Sequence, residues 1–339
     1  MKSYVMPANT QVRLSSRPVG MPSVENFVLA DAPIPSPSAG EVLVETLYLS
    51  LDPYMRGRMS EAKNYAASID IGDVVVGSAV GCVIDSEDPS FKPGEIVESP
   101  SGWQSYAVAK GASLRRIDPD LAPISTALGV LGMPGLTAYF STLSVGRPMP
   151  GDTVVVSGAG GAVGQLAGQF AKLAGCRVVG VAGSDRKAAY CRDQLGFDAV
   201  VNYKTAPNLK EAIAQACPRG VDVYLDGVGG SISAAVNENL ALHARVVIFG
   251  QISQSNLSSP EVGPVSMRYM LTSRARVEGF IVSDWQSRNH EALTRISSWL
   301  RAGSVKYSEH IVEGLENAPA AFIGMLSGDN LGKTLVKVR

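Results

Sequence analysis

The sequence predicts an α/β chain in which a doubly wound parallel sheet is inserted into a β-rich domain. Turn-rich extended runs fill about the first 120 residues, strand and helix alternate from about Thr126, and short strands return after Val305. A chain of 339 residues that is 45% hydrophobic exceeds one ordinary core. The expected division is 1–124 for the first part of the β-rich domain, 125–300 for the nucleotide-binding domain and 301–339 for a return to the first.

Within the first part, extended runs are expected at 41–48 (EVLVETLY), 73–84 (DVVVGSAVGCVI) and 95–98 (EIVE), with Pro- and Gly-bearing turns between them. The parallel sheet should begin with TVVVS at 153–157 and the helix 163–174. Further strands are read at 177–182, 199–202, 221–225, 245–249 and 277–282. The final KTLVKV, at 333–338, has the alternation of a sheet edge.

Charge narrows the partners. Thirty Lys and Arg against 31 Asp and Glu give a net charge of −1, so no global field recruits nucleic acid or anionic lipid, and a small-molecule substrate is expected. The N-terminus lacks an apolar signal core, and no run of about 18 apolar residues spans a bilayer, so no membrane association is expected. Cys82, Cys176, Cys191 and Cys217 are dispersed without a Cys-x-x-Cys pair, which fits a reduced, cytoplasmic compartment. His243, His290 and His310 are equally scattered, so no metal is expected.

Directly after TVVVS comes Gly158-Ala159-Gly160-Gly161-Ala162-Val163-Gly164, then a helix with Leu166, Phe170 and Leu173 on its apolar side. Strand, glycine turn and helix in this order form the Rossmann dinucleotide site. A pyrophosphate must touch backbone N–H groups at the positive helix terminus, where a Cβ would stand in the way. At the end of the second strand, an NAD site places a carboxylate, whereas an NADP site omits it and supplies a cation. Here that end reads Gly183-Ser184-Asp185-Arg186-Lys187. Asp185 is read as a helix N-cap in preference to a ribose ligand, NADPH as the cofactor and Lys187 as the partner of its 2′-phosphate.

With these residues placed, the chain resembles the zinc-free medium-chain dehydrogenase/reductases, in which a Rossmann domain interrupts a GroES-like catalytic domain. More narrowly, it is similar to the NADPH-dependent alkenal/one oxidoreductases: prostaglandin reductases, plant double-bond reductases and bacterial curcumin reductase-like enzymes. The matching strings include SLDPYMRGRM, LGVLGMPGLTAYF, VVNYK, DGVGG, EGFIV and EGLENAPAAFIGMLSGDNLGKT. The resemblance implies reduction of the C=C bond of an α,β-unsaturated ketone or aldehyde, with hydride reaching the β-carbon and no metal involved. It adds Tyr203 and Asn330 to the cofactor contacts, with Gly183 and Ser184 at the adenosine phosphate and Thr137, Gly250, Phe280, Ile281 and Val282 along the nicotinamide half. Tyr54, Arg56, Met133 and Trp285 become pocket-wall candidates, although the aromatic ones can equally be packing. It also implies a homodimer through the edge strand near 277–282.

Two departures are visible. The prostaglandin and plant members carry a tyrosine where this chain has Thr272, and they tend to have Asn where it has Gly227. A developing enolate oxygen still needs a donor, and Tyr65 is favoured over Tyr269 or a cofactor ribose hydroxyl. Quinone reduction and cofactor binding without turnover are the alternative readings.

Overall fold

A computed structural model describes residues 8–61, 66–257 and 267–339. The strands are β1 (Asn9–Leu14), β2 (Phe27–Ala32), β3 (Glu41–Ser50), β4 (Ala79–Ser86), β5 (Ile96–Ser99), β6 (Tyr106–Lys110), β7 (Arg115–Arg116), β8 (Thr153–Ser157), β9 (Arg177–Ala182), β10 (Ala199–Asn202), β11 (Val221–Asp226), β12 (Leu240–Ile248), β13 (Arg276–Gly279), β14 (Glu309–Glu313) and β15 (Lys333–Lys337). The helices are α1 (Tyr54–Arg58), α2 (Met133–Tyr139), α3 (Gly164–Leu173), α4 (Asp185–Asp193), α5 (Leu209–Ala216), α6 (Gly230–Asn237), α7 (Arg268–Ser273), α8 (Asn289–Arg301) and α9 (Ala318–Ser327).

The chain divides into two compact units. One runs up to Leu128 and resumes at His310–Asp329 and Thr334–Arg339; the other comprises Gly129–Glu309 and Asn330–Lys333. The return therefore starts later than residue 301. Lys306 and Ser308 still belong to the nucleotide unit because their backbone N–H groups donate to Gln169 and Gln165 of α3, at 2.8 and 2.9 Å.

In the first unit, a sheet of order β14-β15-β3-β4-β5-β7, with β6 also on β3, carries the apolar positions inward. Trp103 is fully buried, stacked on Phe27 at 5.6 Å and edge-on to Phe322 at 5.6 Å. The expectation of an edge at KTLVKV is corrected: β15 lies between β14 and β3, and Leu335 and Val336 are both fully buried, because each face of this strand is covered. The C-terminal stretch also contains the helix α9, opened by Pro319 in its first turn and closed by Gly328 at φ 81°.

In the second unit, the six parallel strands run β10-β9-β8-β11-β12-β13. Every residue of β8 is buried, as a strand covered on both faces requires. Its register sets Val154 against Val178 on one side and Val223 on the other. The strand expected over 277–282 is shorter: β13 ends at Gly279, all four of its residues are exposed, and a 3₁₀ segment, Val282–Arg288, follows.

Candidate nucleotide site on the parallel sheet

The strand-to-helix turn is built so that only glycine fits. Gly158 leaves β8 at φ 62°, in the left-handed region, and a Cβ on Gly164 would lie 2.3 Å from the Gly158 carbonyl oxygen. A Cβ on Gly160 would sit 3.1 Å from the Cβ and Cγ of Lys187, so the lysine stem lies directly over this glycine. Gly161 donates to the Gly158 carbonyl at 2.9 Å, which tightens the turn. Ala162 and Val163 stand half-exposed where α3 begins, among the N–H groups that a helix leaves without internal partners. Gly332 closes the turn from the other side, its N–H donating to the Gly160 carbonyl at 2.8 Å, and buried Asn330 holds that segment by donating to the Gly332 carbonyl at 2.8 Å.

At the end of β9, Tyr203 packs on Gly183, the Lys187 stem lies on Gly160 and Ser184 opens the next helix. A Cβ on Gly183 would stand 2.9 Å from the Tyr203 ring, so the glycine makes room for the tyrosine. The helix cap expected of Asp185 is corrected: Ser184 is the N-cap, its Oγ accepting from the Lys187 N–H at 3.3 Å. Asp185 falls in the first turn and accepts from the Asn202 side chain at 2.7 Å. The backbone is extended at Ser184 and already helical at Asp185, so the cap falls on the serine. Ala182 ends the strand without an acid, and Lys187, Ser184 and Tyr203 next to it are a donor set that fits a 2′-phosphate.

Sequence reasoning missed the group at the end of β11. Asp226 is 2% exposed, and one carboxylate oxygen accepts from Ser157 Oγ (3.0 Å), Tyr224 Oη (2.9 Å) and the N–H groups of Val228 and Gly229 (both 3.0 Å). Its other oxygen accepts from Ser233 Oγ. Ser157 in turn accepts from the Gly227 N–H at 2.9 Å. The carboxylate thus ties the residue before the glycine turn to the loop that opens α6. Burial first, and the neighbouring Asp226 second, push the Tyr224 phenol well above its ordinary value, so this tyrosine stays a donor. The available signal was an acid ending a buried apolar strand, VDVYLD, before a glycine run.

Gly227 also explains itself locally. A Cβ there would meet the Phe249 ring at 2.6 Å, so the ring fills the space a longer side chain would take. Gly250 follows, its N–H donating to the Asp226 carbonyl at 3.2 Å. Thr137 is buried and its hydroxyl donates to the Met133 carbonyl at 2.8 Å, so it is spent within α2. Phe280 is buried, whereas Ile281 is 38% exposed and Val282 starts the 3₁₀ segment. Trp285 stacks on Phe140 at 5.1 Å and carries Arg288 over its ring at 5.3 Å. It packs and also lines a cavity of about 440 Å³ with Phe280, Ile281 and Arg288.

The remaining candidates are placed differently. Tyr65 lies outside the described residues. Tyr269, the second candidate donor, is hydrogen-bonded through its hydroxyl to Glu238, which also pairs with Lys210 at 2.7 Å. Glu238 follows the last turn of α6, whereas the glycines facing the nucleotide loop open its first turn. Thr272 is exposed and donates to the Arg268 carbonyl at 3.0 Å. In the other unit, Tyr54 begins α1 half-buried. Arg56 is 4% exposed, and its Nη2 donates to the carbonyls of Pro18 (3.2 Å) and Gly20 (2.9 Å), so it braces that turn. Among the described residues no group of three His, Cys, Asp or Glu could hold a metal ion, and no helix is long and apolar enough to cross a membrane.

Residues 10–117 match the N-terminal domain of oxidoreductases and residues 162–298 the zinc-binding dehydrogenase domain. Over 330 residues the chain is 43% identical to an NADPH-dependent curcumin reductase of Escherichia coli, covering 96% of this chain and 95% of that one. The chain is a medium-chain dehydrogenase/reductase. This dehydrogenase/reductase is also 45% identical over 322 residues to prostaglandin reductase 1 of Rattus norvegicus, across 94% of its own length and 95% of the relative's. Its fold matches that of CurA from Vibrio vulnificus in complex with NADPH, with a TM-score of 0.93, 45% identity and coverage of 97% and 99%.

Proposed function

We propose that this dehydrogenase/reductase catalyses the NADPH-dependent reduction of the C=C bond of α,β-unsaturated ketones or aldehydes. The observation that carries the reading is the near full-length likeness to both a curcumin reductase and a prostaglandin reductase. The acid-free end of β9, with Lys187, Ser184 and Tyr203 around it, supports NADPH over NADH. When bound, NADPH supplies the hydride that the β-carbon accepts. The chain's own residues do the rest. The glycine turn offers N–H groups to the pyrophosphate, Lys187 meets the 2′-phosphate, and Asp226 holds the Gly227–Gly230 loop against the end of β8.

Two finer readings belong to the same proposal. The enolate oxygen takes its hydrogen bond from Tyr65, on the strength of the resemblance around that residue. The active form is a homodimer, supported by the open outer side of β13 and by exposed Val277 and Leu271. The four free cysteines fit the reducing cytoplasm.

The test is product analysis with NADPH across short enals, aryl enones, curcumin-like diketones and quinones. A saturated carbonyl product supports the reading, whereas hydroquinone as the sole product, or NADPH binding without consumption on every substrate, overturns it. On the best enone, Tyr65→Phe is expected to lower turnover by about 10²-fold without changing NADPH affinity. Full turnover in that variant removes Tyr65 from the role.

A further inference from the structure

We propose that a cavity at the N-terminal edge of the parallel sheet, lined by Arg147, His243, Arg245, Arg274 and Arg276, binds a small phosphate-type polyanion. It is a shallow, open depression of about 350 Å³, along which Arg147, His243, Arg274 and Arg276 are exposed. It lies at the opposite edge of the sheet from the glycine turn, since Arg276 opens β13, Arg245 pairs with it, and Arg147 precedes β8. In a chain of net charge −1, four guanidinium groups around one cavity are a strong local departure.

Three features argue for a built site. The first is preorganisation. Arg147 Nε donates to the Ser144 carbonyl at 2.9 Å, Arg245 Nε to Gly146 at 3.0 Å and Arg276 Nη2 to Val145 at 2.9 Å. These bonds cap the C-terminal carbonyls of the helical turn 140–146 and pin long side chains that would otherwise be mobile. Each guanidinium carries five N–H donors, so further donors remain in a fixed fork. The second is charge. Asp152 pairs with Arg245, and Glu278 lies 3.5 Å from Arg276, which leaves the charges of Arg147 and Arg274 without a carboxylate in the described cluster. The third is backbone conformation. Arg147, His243 and Arg274, at φ 45°, 61° and 51°, are the non-glycine residues with positive φ among the described residues, and all three line this cavity. Arg147 and Arg274 are the left-handed caps that end the helical turn 140–146 and α7, so the two side chains leave from neighbouring helix ends beside His243. Four guanidinium groups lining one depression match the multiple oxygens of a phosphate-type anion.

The experiment is a calorimetric titration of inorganic triphosphate into protein saturated with NADP⁺, so that the cofactor's own phosphate sites are filled. One saturable site per chain is expected, weakened about tenfold or more in Arg147→Gln/Arg274→Gln and unchanged in the distant control Arg192→Gln. Arg276→Gln alone gives the same reading if the double variant fails to fold. Absence of saturable binding at millimolar triphosphate, retention of full affinity in the double variant, or equal loss in Arg192→Gln overturns the proposal. So does binding that appears only when NADP⁺ is omitted.

Discussion

At the residue scale, the decisive side chain is Lys187. Its stem lies on Gly160 and its backbone N–H is held by Ser184, so both its root and its course are set before any ligand arrives. An ammonium facing a phosphate dianion is a charge-assisted contact of about 1.5–3 kcal/mol. Lys187→Ala is therefore expected to raise the Kd for NADPH at least tenfold and leave that for NADH nearly unchanged. Fluorescence titration with the two cofactors checks this, and an equal loss for both would place the lysine elsewhere. Gly227 shows how a departure from relatives can be accommodated, because the Phe249 ring stands where another side chain would extend.

At the element scale, the β11–α6 loop depends on one buried carboxylate. Asp226→Asn keeps the size but replaces an acceptor with a donor, in a site that receives hydrogen bonds from Ser157, Tyr224, Ser233 and two backbone N–H groups. A loss of about 1.5–3 kcal/mol is expected, which at roughly 2–4 °C per kcal/mol lowers Tm by several degrees. Thermal melting reads the stability, and KM for NADPH should rise more than kcat falls. Much of this architecture was legible. Strand β8, the glycine turn and α3 are spelled out by apolar runs and obligatory glycines, and β9 and β10 begin and end where their patterns do. Local pattern failed where tertiary partners decide. Ser184 rather than Asp185 caps α4 because the chain turns helical at the aspartate, whose side chain meets Asn202, and Tyr269 is drawn to Glu238. The arginine cavity was invisible because its residues are spread from 147 to 276 and meet only across β12 and β13.

At the scale of the whole molecule, β13 is the outer strand of the six-stranded sheet among the described residues, with Val277 45% exposed on it. An open edge is a template for pairing, and charge on it is how natural sheets block pairing. Val277→Lys is thus expected to shift a dimer toward monomer, as light scattering after size exclusion would record. Unchanged mass would place the interface elsewhere. Stability should also fall in alkali. Burial is the main cause that pushes the thiols of Cys176 and Cys217 up to about 11 and that of Cys191 to about 12, from an ordinary 9.0. The folded form keeps these protons when the unfolded chain has lost them. Their contribution is therefore complete below pH 9 and disappears as pH rises toward 11–12. Tm should hold to pH 8.5 and drop beyond 9, with a shallower drop in Cys191→Ala; an equal slope in that variant would exclude the thiol as a cause. The Gly332 N–H bonded to the Gly160 carbonyl has a temporal consequence. During synthesis, the glycine turn emerges from the ribosome long before residue 332 exists, so the segment Asn330–Lys333 joins the nucleotide unit late. A nascent chain halted before that point would present the turn without its clasp, and its hold on the dinucleotide should strengthen only once residue 332 has been added.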